Sequence, residues 1–195
     1  MKNIYISLIC ILLLFLSCSK EDSNDNNNNN NNNNDFTIGD YYEGGIIFYL
    51  DLTGNHGYIC DVKNLETSSN NGVTWGCDGT NISGADAIEI GFGFQNTNHI
   101  VAAGCGNAAM LCYNSNAQGY SDWYLPSYEE LNKMYLNRYQ IESANGVSPF
   151  GNDDFWSSSE CGSDCAKSVD FVNGGDGYTY SPKDYYNKVR AIRSF

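Results

Sequence analysis

The sequence has little positive charge. It contains 10 lysine and arginine residues against 23 aspartate and glutamate residues, a formal net charge of −13. Removing residues 1–17 as an export signal would take away only Lys2, leaving 9 basic against 23 acidic residues and a net charge of −14. An acidic surface repels polyanions unless its charges are locally segregated. We therefore expect no nucleic-acid partner.

Histidine is also scarce, and the familiar catalytic motifs are missing. The two histidines, His56 and His99, do not form an H-E-x-x-H zinc motif, and the serines at 157–159 lie outside a G-x-S-x-G turn. The pairs Gly91-x-Gly93 and Gly104-x-Gly106 both lack the third glycine of a dinucleotide-binding loop. The sequence predicts no catalytic residue and no cofactor.

Long apolar runs are lacking after residue 16. The run from Ile4 to Leu16, interrupted by Ser7 and preceded by Lys2, is typical of an export signal and too short for a membrane span. It leads into Leu16-Ser17-Cys18, which resembles the lipobox of bacterial lipoproteins. We predict a signal peptide at residues 1–17 and lipidation at Cys18, with ordinary secretory cleavage as the alternative.

A polar linker follows this cysteine. The stretch from Ser19 to Asp22 resembles the signal that sends some bacterial lipoproteins to the outer face of the outer membrane, and the residues from Asn26 to Asn34 are all asparagine. An asparagine run has no apolar face to bury. Residues 18–35 are therefore predicted to tether the protein to the bacterial outer membrane, facing outside, although an anchor facing the periplasm stays open.

The remaining residues, 36–195, suffice for one domain. The chain has 15 tyrosines and 20 glycines, a composition that favours a loop-rich α+β domain over a helical bundle.

The stretch from Ser121 to Tyr135 predicts an extended arm that turns into a helix. Pro126 keeps the residue before it extended, and Ser127 with Glu130 three residues later forms a capping-box pattern. Trp123 is expected to be buried. An apolar face should continue from Leu131 through Met134 and Tyr135 to Tyr139. These residues are predicted to be structural.

Other elements are predicted from periodicity and turn residues. Short helices are expected at 96–103 and 107–113, and strands at 45–50, 58–62, 155–159, 168–172 and 189–194. Arg190 and Arg193 lie three apart in the last predicted strand, so their side chains should point to opposite faces.

Cysteine usage agrees with export. Six cysteines remain after Cys10 and Cys18 are set aside: Cys60, Cys77, Cys105, Cys112, Cys161 and Cys165. Six cysteines allow fifteen pairings, and the sequence alone selects none. Local spacing favours Cys161 with Cys165 and Cys105 with Cys112, which would leave Cys60 for Cys77. A zinc cluster is disfavoured because the paired C-x-x-C of zinc ribbons is missing. We predict three disulfides.

Six short motifs occur in an order that resembles a known bacterial domain family. They are GGIIFYL at 44–50, TWGC at 74–77, QNTNHI at 95–100, GYSDWYLPSYEEL at 119–131, FWSSSE at 155–160 and VRAIR at 189–193. Together they resemble the family named after the C-terminal domain of the Legionella collagen-like adhesin (Lcl).

The resemblance implies a C-type-lectin-like fold: a twisted antiparallel sheet with one main helix, short helices and long loops. It also implies an adhesive surface domain, in which Trp156 is structural and Glu160 lies near Arg190 or Arg193 and forms an ion pair. The family's namesake is associated with sulfated glycosaminoglycans, a ligand class that this chain's acidity opposes.

Two late loops are the best candidates for ligand contact. They carry carboxylates that could bind calcium and tyrosines that could stack on sugars: Asp153, Asp154, Asp176, Tyr178, Tyr180, Tyr185 and Tyr186. No EF-hand spacing supports calcium, so no metal site is assigned. The favoured function is a non-catalytic binding or adhesion module for a glycan or a protein partner. An exported enzyme on a formylglycine-generating-enzyme-like fold and a structural envelope protein are the alternatives.

Overall fold

The computed structural model describes residues 35–65, 72–173 and 180–195. The predicted signal peptide and all of the tether except Asp35 lie outside the described residues. Within the described ranges, no helix is long and apolar enough to cross a membrane.

Seven strands and four α-helices follow one another along the described chain. The strands are β1 (Tyr41–Tyr42), β2 (Gly45–Leu50), β3 (Gly57–Cys60), β4 (Asp154–Glu160), β5 (Cys165–Asp170), β6 (Tyr180–Pro182) and β7 (Ile192–Ser194). The helices are α1 (Gly93–Ala102), α2 (Asn107–Tyr113), α3 (Tyr128–Leu136) and α4 (Arg138–Glu142), with a 3₁₀ turn at Ala117–Gly119. The predicted α+β class is confirmed.

The strands form two antiparallel sheets rather than one. The first has the order β1-β2-β3-β7 and the second the order β4-β5-β6. The last strand is shorter than expected because the chain before it pairs elsewhere: Asn187 bridges to Val73 and Val189 to Leu65. Arg190 therefore precedes β7 and does not share a strand with Arg193.

The segment from Asn187 to Ser194 connects the two sheets. Lys188 forms a parallel bridge to Phe155 of β4, and Ile192 of β7 forms an antiparallel bridge to Tyr124 of the arm before α3. The C-terminal residues thus fix the position of β4 relative to the first sheet.

Helix α3 begins with the expected capping box. The Ser127 hydroxyl accepts the Glu130 amide (3.4 Å), and the Glu130 carboxylate accepts the Ser127 amide (2.7 Å). The same carboxylate also accepts the amide of Gly91 (2.8 Å), and the Ser127 hydroxyl donates to the carbonyl of Glu89 (2.8 Å). The local cap therefore also holds the loop that enters α1.

The apolar face of α3 is shorter than predicted. Leu131 and Met134 are fully buried, but the helix breaks at Asn137, whose side-chain amide donates to the Phe48 carbonyl (3.0 Å). This break turns the chain, and Tyr139 on α4 is 69% exposed. Placing Tyr139 on the buried face was wrong because the periodicity was extended across a helix end.

The buried apolar side chains of the described ranges form two clusters. One joins β2, β3, α3 and the start of β4, and includes Phe48, Leu131 and Phe155. The other contains the three tryptophans, Trp75, Trp123 and Trp156, together with residues of α1 and α2. Each indole N–H donates to a backbone carbonyl, of Ser157, Ala117 and Val73 respectively. This second cluster supports the chain that carries the candidate site.

Candidate functional site

Three of the predicted ligand residues meet at one surface. Asp153, Asp154 and Tyr186 line a cleft of about 380 Å³, here called the acidic cleft, together with Asn152, Asp170, Val172, Asn187 and Lys188. Tyr180 and Tyr185 are exposed. Asp176 and Tyr178 lie outside the described residues.

Backbone pairing builds the acidic cleft. Asp154 at the start of β4 lies opposite Asp170 at the end of β5, and the Phe171 amide donates to the Asp153 carbonyl (3.1 Å). On the other side, the Lys188 amide donates to the Asp154 carbonyl (2.8 Å). Asp170 was not among the predicted residues, because only the strand register brings it beside Asp154.

The carboxylates of this cleft are held in different environments. Partial burial raises the pKa of Asp154, and the negative charges of Asp170 and Asp153 raise it further. Burial would also raise the pKa of Asp170, but hydrogen bonds from Val172 and Asn173 outweigh this effect and lower it. Asp170 therefore stays ionised more readily than Asp154. No three His, Cys, Asp or Glu side chains of the described ranges are grouped closely enough to hold a metal ion.

A second cleft, here called the apolar cleft, is also lined by Tyr186. Its volume is about 540 Å³, and it is lined by Gly72, Val73, Thr74, Asn107, Met110, Leu111, Asn114 and Tyr186. One wall is α2 and the other is the chain at 72–74. The Asn107 side-chain amide donates to the Thr74 hydroxyl (2.6 Å), which joins the two walls at the rim.

The wall at 72–74 is fixed by backbone contacts and by a disulfide. Val73 and Asn187 exchange two backbone hydrogen bonds (2.9 and 3.1 Å), and Cys77 is bonded to Cys105 just before α2. Gly72 has a φ of +85°, and a Cβ there would lie 2.3 Å from the Asn187 carbonyl oxygen. A side chain at this position would push the wall away from the Tyr186 segment.

Tyr186 is shared by the two clefts and is 65% exposed. The residues after Tyr186 are hydrogen-bonded on both sides: Asn187 to Val73, and Lys188 to Asp154. The segments of Val73 and Asp154 are therefore two strand spacings apart, or about 10 Å. The Tyr186 ring thus borders both the apolar cleft and the acidic cleft. We refer to this whole surface as the Tyr186 surface.

Sequence reasoning missed the apolar cleft. Its floor comes from Val73, Met110 and Leu111, which lie in parts of the chain far from Tyr186 in sequence. The one available signal for this cleft was Met110, a large apolar residue on a short helix. Its neighbours Ala108, Ala109 and Cys112 are buried, whereas Met110 itself is 37% exposed.

The disulfide predictions were right for one pair and wrong for the others. Cys161 is bonded to Cys165 as expected, but Cys105 is bonded to Cys77, so neither Cys105–Cys112 nor Cys60–Cys77 forms. Cys60 and Cys112 are free and fully buried. Burial raises the pKa of the Cys60 thiol to about 12 and that of Cys112 well above its usual value. They pack in different apolar clusters, which explains why they do not pair.

The predicted ion pair between Glu160 and an arginine is also wrong. Glu160 pairs with Lys183 (2.5 Å), and both side chains are almost completely buried. Arg193 instead binds both carboxylate oxygens of Asp122 (2.7 and 2.8 Å) and contacts Glu43 (3.3 Å). Glu160 and Lys183 are 23 residues apart in sequence, and Asp122 and Arg193 are 71 apart, so no local pattern pairs them.

Arg190 is buried and is bound by neutral groups. Its guanidinium donates to the side chain of Asn64 and to the carbonyls of Asp61 and Ser148, at 2.7–2.8 Å, and lies over the ring of Phe150. Desolvation lowers its pKa. This arginine is structural and offers no charge to a ligand at the surface.

Together, fold and surface define an α+β domain with an open, two-part cleft around one exposed tyrosine. Comparison with known proteins adds no relative: no protein-family profile matches this chain, and no curated protein matches it.

Proposed function

We propose that this chain is a non-catalytic binding or adhesion module of a bacterial lipoprotein, held at the outer face of the outer membrane through Cys18. Its ligand is a glycan or a protein partner that contacts the Tyr186 surface. The observation that carries this proposal is the position of Tyr186, an exposed ring that lines two adjoining clefts. Exposed aromatic side chains beside a pocket are typical centres of binding energy.

The chemistry of the described residues supports binding rather than catalysis. The free thiols of Cys60 and Cys112 are fully buried and have raised pKa values, so they remain protonated and unreactive. The serines of β4 that follow Trp156 are buried and form hydrogen bonds with the backbone. The Ser159 hydroxyl accepts the Tyr128 amide, and the Ser158 amide donates to the Pro126 carbonyl. None of these groups lines the acidic cleft or the apolar cleft.

The distribution of positive charge opposes sulfated polymers as ligands. Lys183, Arg190 and Arg193 are at most 7% exposed, and each is bound by protein groups. They cannot gather into a basic groove at the surface. The acidic cleft adds negative charge beside Tyr186.

Binding to a glycan array and to a panel of surface proteins tests the proposal. Tyr186→Ala should weaken binding of any ligand found by about 1 kcal/mol or more, without changing the unfolding midpoint. Tyr139→Ala is the matched control, because Tyr139 is equally exposed but lies on α4 outside both clefts. Equal losses for the two variants would argue against a site at Tyr186.

Heparin provides the complementary measurement. Its affinity should be negligible at physiological salt and should improve little at low salt, because Lys183, Arg190 and Arg193 are buried and the acidic cleft repels sulfate groups. Tight and strongly salt-dependent heparin binding would contradict the proposed ligand class.

A further inference from the structure

We infer that the ligand of the Tyr186 surface is a polypeptide segment that places an apolar side chain in the apolar cleft and a lysine or arginine in the acidic cleft. This inference rests on the proposed function and narrows it from glycan or protein to protein.

The composition of the apolar cleft favours an apolar side chain over a sugar ring. Its floor is aliphatic, formed by Val73, Met110 and Leu111. Sugar hydroxyls placed against these three side chains would lose their water without gaining hydrogen bonds, which is unfavourable. Of the polar side chains that also line the cleft, Asn107 and Thr74 are already hydrogen-bonded to each other. Methionine adapts its shape to different apolar partners. The cleft volume of about 540 Å³ is also in the range of sites that enclose a bulky group.

Charge complementarity specifies what lies beside that apolar group. Three carboxylates, of Asp153, Asp154 and Asp170, line the neighbouring cleft, against one ammonium group, that of Lys188. Asp154 and Asp170 lie directly opposite each other on β4 and β5, and like charges in this arrangement repel. A cation from a ligand would relieve this repulsion, whereas an anionic or sulfated ligand would increase it.

The spacing of the clefts fits an extended peptide. The segments of Val73 and Asp154, which border the two clefts, are about 10 Å apart, and residues two or three positions apart in an extended chain are separated by roughly 7–10 Å. Tyr186 lines both clefts, and its ring face can contact the cation. The expected recognition pattern is therefore an apolar residue followed or preceded, two or three positions away, by lysine or arginine.

Fluorescence anisotropy with the full chain and labelled synthetic peptides tests this inference. The probes carry leucine or phenylalanine three positions from a pair of arginines in a Gly/Ser background. Matched peptides replace the arginines by glutamate or the apolar residue by alanine. We expect binding only to the peptide with both features, with an affinity that falls as salt is raised.

Variants of the protein test the contribution of each cleft to peptide binding separately. The double variant Asp153→Asn/Asp154→Asn should weaken binding at least fivefold and flatten the salt dependence, because it removes charge from the acidic cleft. Met110→Ser should weaken binding at least threefold at every salt concentration, because Met110 forms the apolar floor. Tyr139→Ala should bind like the unaltered chain, and unfolding midpoints should show that every variant is folded.

Other outcomes overturn the inference in distinguishable ways. If the glutamate peptide binds as well as the arginine peptide, or if the double variant binds unchanged, the acidic cleft does not select a cation and the inferred ligand is wrong. If only neutral glycans bind and Tyr186→Ala weakens them, the polypeptide assignment is wrong but the binding module stands. If neither peptide nor glycan shows binding that depends on Tyr186, the proposed function fails as well.

Discussion

The side chain of Lys183 shows how much of this fold depends on single buried contacts. It is fully buried, donates to Glu160 and to the Thr80 carbonyl, and lies over the Trp75 ring. Glu160 in turn accepts the Ile82 amide. A buried ion pair of this kind is costly to disrupt, because removing one partner leaves an uncompensated charge in the interior.

Lys183→Met should therefore destabilise the domain by about 3–5 kcal/mol, because Glu160 would remain buried without its counter-ion. Adding Glu160→Gln removes the charge while keeping an acceptor for Ile82, so the double variant should be more stable than Lys183→Met alone. Urea denaturation of the wild type, both single variants and the double variant measures this coupling. A double variant that loses the sum of the two single losses would show that the pair contributes no coupling.

Asp122 is a second residue with a testable energetic role. Its hydrogen bonds with Arg193 lower its pKa from the ordinary value of 3.8, despite an opposing effect of burial. A carboxyl group with a lowered folded pKa contributes stability above its unfolded pKa and loses it as the pH falls through the folded value. Because the Asp122 side chain is 53% exposed, solvent screening keeps this contribution to about 0.5–1 kcal/mol.

Asp122→Asn should thus destabilise the domain at pH 7, and the difference from wild type should shrink as the pH falls below about 3.8. Urea denaturation at several pH values follows both proteins. Asp78→Asn serves as the control, because Asp78 is exposed and far in sequence from Arg193. A difference that is constant with pH would show that Asp122 acts through packing and not through its charge.

Among the elements, helix α3 begins with a local capping box whose residues also make tertiary contacts. Its capping residues Ser127 and Glu130 also bind the backbone of Glu89 and Gly91. Burial raises the pKa of Glu130, although the amides of Ser127 and Gly91 favour its ionised form. The helix start therefore holds together two parts of the chain.

Ser127→Ala should destabilise the domain by about 0.5–2 kcal/mol through loss of the helix cap. The loss should fall toward the upper end of this range because the Glu89 carbonyl also loses its shorter hydrogen bond and keeps only the one from the Phe92 amide (3.4 Å). Ser83→Ala, at an exposed loop position, is the matched control. Denaturant midpoints that coincide with the wild type at equal slope would contradict a stabilising cap.

At the scale of the whole molecule, the predicted anchor decides where the Tyr186 surface is displayed. The apolar run ending at Leu16-Ser17-Cys18 predicts lipidation, and the tether that follows would separate the domain from the membrane. These residues lie outside the described part of the chain, so the prediction stands on the sequence.

Cys18→Ala should abolish acylation and release the protein from the membrane fraction, since acyl chains contribute about 0.8 kcal/mol per buried methylene. Fractionation and the mass of the N-terminal peptide measure both effects. Cys112→Ala, which alters a buried thiol of the folded domain, should leave fractionation unchanged. Identical N-terminal masses with and without Cys18 would refute lipidation.

The sequence by itself determined the features that depend on neighbouring residues. The capping box at Ser127, the strand at Gly45–Leu50, the helix at Asn107–Tyr113 and the α+β class follow from patterns within a few positions. The disulfide between Cys161 and Cys165 belongs to the same group, because its loop is short. Asp153, Asp154 and Tyr186 were proposed as ligand contacts from their side chains alone, and this assignment stays a prediction.

Only the tertiary structure decided which distant residues meet. Asp170 lies beside Asp154 through strand register, and Val73 lies beside the Tyr186 segment through its hydrogen bonds with Asn187. Met110 completes the apolar cleft from α2, and Lys183 pairs with Glu160 in the core. Such contacts depend on how the whole chain closes, and many partners are compatible with the same local pattern. The Tyr186 surface is built almost entirely from contacts of this kind, which is why its position emerges only when both sheets and the C-terminal segment are packed together.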